Sequence, residues 1–221
     1  MDAVDHKRTS QIVVCIDPGH PSDYSQGTRG SRTTEIAVNW LYAQLLQKDL
    51  KKIGITVVLT KQSQGQNVSN RRRAEIANSS NAALMLRLHC DGRTKRGVAI
   101  YCPTRIGVAA DGTRGPSPNV IEQSEEAANR FHVAMRESLR NQLPDLGLMG
   151  DEKTDVGARQ GALTGSIYSK VPVVLIEMCN LQNHSDENYV LSVKGKLALT
   201  KAMVNGILSA LSLQRDTVAS R

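Results

Sequence analysis

The sequence is poor in aromatic side chains, with one Trp, one Phe and five Tyr among 221 residues. Single-strand nucleic-acid platforms stack bases on flat rings, so this poverty argues against one. No apolar run approaches the ~18 residues of a membrane span, which excludes an integral membrane segment. The opening residues, Met1-Asp2-Ala3-Val4-Asp5-His6-Lys7-Arg8, lack the apolar core of a secretion signal. The four cysteines, at positions 15, 90, 102 and 179, form no C-x-x-C pair. Neither zinc-ribbon nor thioredoxin chemistry is therefore indicated. Each lies in or at the end of an apolar run, where a free thiol acts as a small buried hydrophobe. There is no H-E-x-x-H zinc signature, no internal repeat and no interdomain linker.

Apolar residues at 40% and charged residues at 22% give the composition of a folded globular chain. Lys and Arg number 28 against 21 Asp and Glu, a net charge of +7. The excess is diffuse, and its longest run is Arg71-Arg72-Arg73. Such a surface is solvated first and attracted to anionic material second. It carries no concentrated basic face or motif for nucleic acid.

Strand-like and helix-like segments alternate along the chain. Apolar runs at 11–16, 56–60, 83–89, 97–102 and 171–178 suit strands, and a short strand is expected near residues 162–164. Helical spacing appears at about 34–53, 68–78, 119–142 and 194–213, the last with Leu197, Val204, Ile207, Leu208 and Leu211 facing inward. Residues 103–118 and 144–170 read as loops rich in glycine. The pattern predicts an α/β three-layer sandwich, a mostly parallel twisted sheet with helices on both faces. One catalytic domain is expected over residues 11–213, between a disordered segment at 1–10 and a tail at 214–221.

Function in open α/β sheets gathers beyond the carboxyl ends of the strands. Three strand ends here carry suitable groups: Asp17-Pro18-Gly19-His20, His89-Cys90-Asp91, and Glu177 with Cys179-Asn180 after it. Glu35 opens the first helix and follows the loop from His20, so it folds back over the same edge. Two histidines and a carboxylate make a common catalytic zinc set that leaves a position for water. His20, Glu35 and His89 fit the ligand roles, and Glu177 fits a proton carrier. Taken singly, each has a plainer reading. Glu35 suits the helix dipole, His20 a loop, and His89 a satisfied core position. Glu177 is the hardest to explain structurally, because an unpaired carboxylate after VPVVLI is costly to bury. His6, His132 and His184 lie away from these strand ends and read as surface residues.

The chain resembles the zinc-dependent N-acetylmuramoyl-L-alanine amidases of the amidase-3 type. The resemblance rests on I-D-P-G-H (16–20), T-E-I-A-V-N (34–39), L-x-x-x-G-I-x-V-x-L-T (50–60) and R-x-x-x-A-N (73–78). It continues through L-x-L-H (86–89), G-V-x-x-Y (97–101) and P-V-V-L-I-E-x-x-x-L-x-N (172–183), in family order over about 11–210. It implies one Zn2+ per chain on His20, Glu35 and His89, with Glu177 as the catalytic glutamate. It also implies cleavage of the amide between N-acetylmuramic acid and the L-alanine of the stem peptide. Peptidoglycan or its muropeptide fragments would be the partner, and the place periplasmic, secreted or cell-wall associated.

The family's glycines after D-P-G-H are here Pro21-Ser22-Asp23, its S-I-H-x-N is Arg87-Leu88-His89-Cys90-Asp91, and its G-F-x-S-N is Cys179-Asn180-Leu181-Gln182-Asn183. Candidate substrate contacts are Arg87, which alternates away from Leu86 and Leu88 and so faces the site with His89, together with Arg159 and Asn180. Arg73 reads as a surface residue or an anion contact, and segments 103–118 and 144–166 as lid loops. Two rival readings stand beside this one, a catalytically inactive wall-binding module on the same fold and a zinc peptidase cutting within the stem peptide.

Overall fold

A computed structural model describes residues 12–92, 95–140 and 142–212. The expected terminal segments, 1–10 and 214–221, lie outside the described residues. The main sheet has six strands: β1 (Val13–Pro18), β2 (Thr56–Leu59), β3 (Leu84–Asp91), β4 (Val98–Cys102), β7 (Asp145–Gly150) and β8 (Val173–Asn180). A small hairpin pairs β5 (Gly107–Val108) with β6 (Arg114–Gly115). The sheet order is β2-β1-β3-β8-β4-β7. The first four of these run parallel, whereas β4 is antiparallel to β8 and β7 is parallel to β4. The sheet is therefore mixed at one side.

The helices are α1 (Glu35–Lys52), α2 (Asn70–Ser79), α3 (Pro118–Leu139), α4 (Asp155–Gln160), α5 (Thr164–Ile167), α6 (His184–Leu191) and α7 (Val193–Ala210). Strand alternation divides the core in two. Val14, Ile16, Leu86, Leu88, Val174 and Ile176 point to one face, where they meet Tyr42 and Leu46 of α1, Phe131 and Met135 of α3, and Met203 and Ile207 of α7. Cys15, Met85 and Val173 point to the other face and pack with Ala77 of α2. Both faces are covered, which is why the central strands read as continuous apolar runs instead of alternating ones.

Local signals set the helix ends. Thr34 caps α1 by accepting from Ala37 N, and Ser69 caps α2 by accepting from Arg72 N. At the other end of α1, Gly54 takes φ +80° and Ile55 N donates back to Leu50 O, closing the helix as a Schellman turn.

Five sequence expectations change. Residues 144–170 hold β7, α4 and α5 in place of a plain loop, and no strand forms at 162–164, where Ala162 and Leu163 lead into α5. Segment 103–118 contains the β5–β6 hairpin. A separate helix, α6, precedes α7. Leu197 is 68% exposed instead of inward, because it stands roughly 200° around the helix from its neighbours Gly195 and Leu199, both on the buried side.

Candidate metal centre and active-site cleft

The parallel strands end at one edge, and β1, β3 and β8 carry the site there. Gly19 N donates to Leu88 O, which lays the turn after β1 against the end of β3. A Cβ at Gly19 would overlap the His89 ring, so the Asp-Pro-Gly sequence lets backbone and imidazole touch. The next residue, His20, holds a left-handed φ of 56°, a sparsely populated conformation for a non-glycine residue. The Lys61 ammonium grips the carbonyl of His20 at 2.5 Å and that of Gln64 at 2.8 Å.

His20, Glu35 and His89 converge. Each offers one potential ligand atom, and these atoms lie within 4.8 Å of one another. Glu35 Oε1 is 2.9 Å from His89 Nδ1 and 3.4 Å from His20 Nε2, and the two rings meet edge to face at 5.0 Å. The backbone and Asn39 hold the carboxylate in place. Its Oε2 accepts from Thr28 N at 2.8 Å, and its Oε1 from Cys90 N at 3.1 Å and Asn39 Nδ2 at 3.4 Å. Burial alone would raise the Glu35 pKa, but the His89 hydrogen bond, both imidazoles and Thr28 N–H hold it well below its ordinary value.

His20 is poised as a neutral donor. Burial first, and then the neighbouring His89, depress the His20 pKa to about 4. His20 Nδ1–H donates to the Ser25 carbonyl at 3.1 Å, which leaves the lone pair on Nε2 toward the cluster. His89 Nδ1–H donates to the ionised Glu35, while its Nε2 is buried without a hydrogen-bond partner among the described residues. Two imidazoles, one of them with an orphaned ring nitrogen, and one carboxylate form a donor set that fits a metal ion.

Glu177 stands directly opposite His89 in the β3–β8 register. Its Oε2 is shielded from solvent and makes no hydrogen bond among the described residues. Burial, then the charges of Glu35 and Asp91, push its pKa well up. The result is an unpartnered, buried carboxyl oxygen beside the cluster.

A cleft of about 180 Å³ opens over this edge. His20, His89 and Glu177 sit in it with Arg87 and Asn70. Ser22, Tyr24 and Ser25 from the loop after β1 form one wall, and Thr154, Leu163 and Thr164 form another. Segment 144–166 thus lines the cleft as expected of it, whereas 103–118 contributes no lining residue. The wall at 22–25 was not anticipated. Its signal was its position directly after Asp-Pro-Gly-His.

The remaining candidates separate. Arg87 lines the cleft, buried with its Nε 3.0 Å from Asp17 Oδ2. Arg159 is exposed on α4 and is not a lining residue. Asn180 is buried at the end of β8, where its Oδ1 accepts from Gln182 N, and it does not line the cleft. Arg73 is no surface residue. It is buried, pairs with Asp17 Oδ1 at 2.6 Å and donates to the carbonyls of Val68, Pro18 and Pro21. Asp17, not singled out from sequence, is therefore the shared counter-ion of two guanidinium groups. His132 pairs with Asp145, His184 is exposed at the start of α6, and His6 lies outside the described residues. All four cysteines are free and buried.

The family model for N-acetylmuramoyl-L-alanine amidase matches residues 14–209. The chain belongs to that family. Its reaction is hydrolysis of the amide between N-acetylmuramic acid and L-alanine in peptidoglycan. No curated relative matches the sequence.

Solved amidase structures share the fold at low identity. Ami1 of Mycobacterium smegmatis is 19% identical with a TM-score of 0.74, over 92% of this chain and 98% of that one. The catalytic domain of CwlV from Bacillus (Paenibacillus) polymyxa var. colistinus is 20% identical, TM-score 0.72, over 92% of this chain and 100% of that one. An amidase of Clostridium difficile 630 is 24% identical, TM-score 0.71, over 91% and 97% respectively. The amidase chemistry thus meets a His-Glu-His cluster at the same sheet edge, and no described helix is long and apolar enough to cross a membrane.

Proposed function

We propose that His20, Glu35 and His89 hold one zinc ion per chain and that Glu177 is the catalytic proton carrier of a peptidoglycan amidase. When bound, the metal supplies Lewis-acid activation of the amide carbonyl and of the attacking water. Glu177 takes the water's proton at its free carboxylate oxygen and returns it to the departing L-alanine nitrogen. Glu35 stays ionised throughout, held by Thr28 N–H and Cys90 N–H. His20 keeps its lone pair aimed inward because the Ser25 carbonyl fixes its tautomer.

Glu177 carries this reading: its Oε2 is buried, partnerless and level with His89 in the sheet. A purely structural carboxylate at that position would be hydrogen-bonded or paired. The same observation argues against an inactive wall-binding module. We take residues 11–213 as one catalytic domain and the setting as the cell wall, in the periplasm or outside the cell.

The test is digestion of purified peptidoglycan followed by mass analysis. Free peptides beginning with L-alanine are expected, whereas shortened peptides still attached to glycan would establish a peptidase instead. Zinc content near one per chain is expected from a three-ligand site. Glu177→Gln should keep that zinc and lose about 10²–10⁴-fold in turnover. Normal digestion by this variant would end the proposed role of Glu177.

A further inference from the structure

Two guanidinium groups, Arg73 and Arg87, line the cleft. Asp17 pairs with both, Oδ1 on Arg73 and Oδ2 on Arg87, and the charge of Arg87 also acts on Glu177 and Asp151. Arg73 is engaged at every nitrogen, since Nε, Nη1 and Nη2 all donate to backbone carbonyls. Arg87 is not. Its Nε donates to Asp17 and its Nη2 to Asn70 Oδ1 at 2.8 Å, but its Nη1 donates to no acceptor among the described residues. Arg87 lies flat beneath α5, where a Cβ on Gly165 would come within 2.7 Å of Nη1. Asp17 and Asn70 therefore orient a guanidinium whose Nη1 has no protein acceptor among the described residues, in a cleft shared with His89 and Glu177.

We propose that Arg87 forms an anion subsite that takes a free carboxylate on the peptide side of the scissile bond. The inference rests on the amidase reading and adds a substrate preference to it. Position and chemistry select the peptide side. Arg87 precedes His89 by two residues on the same face of β3, so the two side chains are rooted roughly 6.6 Å apart.

On the glycan side the lactyl carboxyl of N-acetylmuramic acid is consumed in the scissile amide, and what remains is hydroxyl and acetamide. On the leaving side the carboxyl of L-alanine forms the next peptide bond. The first free carboxylate is then the α-carboxylate of a second residue joined onward through its side chain, as in a γ-linked D-glutamate. Its Cα is one residue step, about 3.8 Å, beyond that of L-alanine. A guanidinium suits this task because it presents donors in a fixed plane to a carboxylate. The primary amide of the same group would put an NH2 donor against those donors.

Two soluble substrates, each with its γ-carboxyl blocked as the methylamide, test the subsite: N-acetylmuramoyl-L-alanyl-D-glutamate, with the free α-carboxylate, and its D-isoglutamine counterpart. The zinc-loaded full chain should favour the acid in kcat/KM by about tenfold or more, the discrimination of a charge-assisted hydrogen bond. In Arg87→Gln the acid-to-amide ratio should fall to near one. The ratio is measured within one protein, so a reduced folded fraction cancels from it. Should that variant not fold, the wild-type enzyme supplies a second readout. With the γ-carboxyl blocked as the methylamide in both, L-alanyl-D-glutamate should inhibit it at least tenfold more strongly than L-alanyl-D-isoglutamine, by the same discrimination. A wild-type ratio near one, equal inhibition by the two dipeptides, or a ratio kept in Arg87→Gln would overturn the subsite and leave the amidase reading standing. Failure to release either dipeptide, with peptidoglycan also uncut at L-alanine, would instead overturn the amidase reading.

Discussion

Replacing Asp17 by Asn keeps the shape of the side chain but removes the negative charge between Arg73 and Arg87. In the native protein Asp17 is buried, accepts from both guanidinium groups and also accepts from the Thr60 hydroxyl at 2.5 Å. An asparagine satisfies one guanidinium with its carbonyl and sets its NH2 against the other. Two buried like charges are then left without their common counter-ion.

Removing one partner of a buried ion pair costs about 3–5 kcal/mol. That is a large share of the roughly 5–15 kcal/mol that stabilises a domain. With a urea m-value near 2 kcal/mol/M, the unfolding midpoint should fall by about 2 M. Far-UV circular dichroism across a urea series measures it.

pH gives an independent arm. Burial would raise the Asp17 pKa, but Arg73 and Arg87 together hold it far below the ordinary carboxylate value. Its stabilisation is therefore fully present above the unfolded pKa of about 3.9 and is lost as pH falls below that toward the folded value. The stability difference between wild type and Asp17→Asn should be constant from pH 7 to 5 and shrink below pH 4. A difference under 1 kcal/mol at pH 7, or one that does not shrink in acid, refutes the reasoning.

Three further predictions concern the metal centre. His20→Ala should lose both zinc and activity, read by metal analysis of the purified protein, because two remaining ligands do not make a catalytic site. Asn39→Leu should weaken zinc affinity by about 10–100-fold in a competition titration, since Asn39 Nδ2 ties Glu35 Oε1 to the Gly19 carbonyl. Unchanged affinity would show that Thr28 N–H and Cys90 N–H suffice. Gly19→Ala should displace the His89 ring and lower zinc occupancy with little loss of secondary structure, and normal occupancy would count against the tight turn.

The parts of the molecule legible in sequence are those whose signal is local. Strands β1, β3 and β8 read as apolar runs because both faces are covered, and their ends exposed His89 and Glu177 as polar groups that packing alone does not explain. Phe131, Met135 and Leu139 recur at helical spacing and are all buried. Short elements escaped because their order comes from tertiary contacts. The four-residue α5 has no side-chain cap and sits over Gly165 and Arg87, and β7 carries glycines at 147 and 150 where a strand pattern would show side chains.

Arg73 and Asp17 escaped for a different reason, since they are 56 residues apart and nothing near either names the other as its partner. A charged residue in a helical pattern reads as solvated until the fold brings its counter-ion to it. Arg73 then serves the site indirectly, because it grips the Pro18 and Pro21 carbonyls on either side of His20. The left-handed turn that presents the histidine is thus held from below by a buried guanidinium and from the side by Lys61. The metal ligands are readable as residue types at strand ends, whereas the scaffold that aims them is built from charges that sequence alone assigns to the surface.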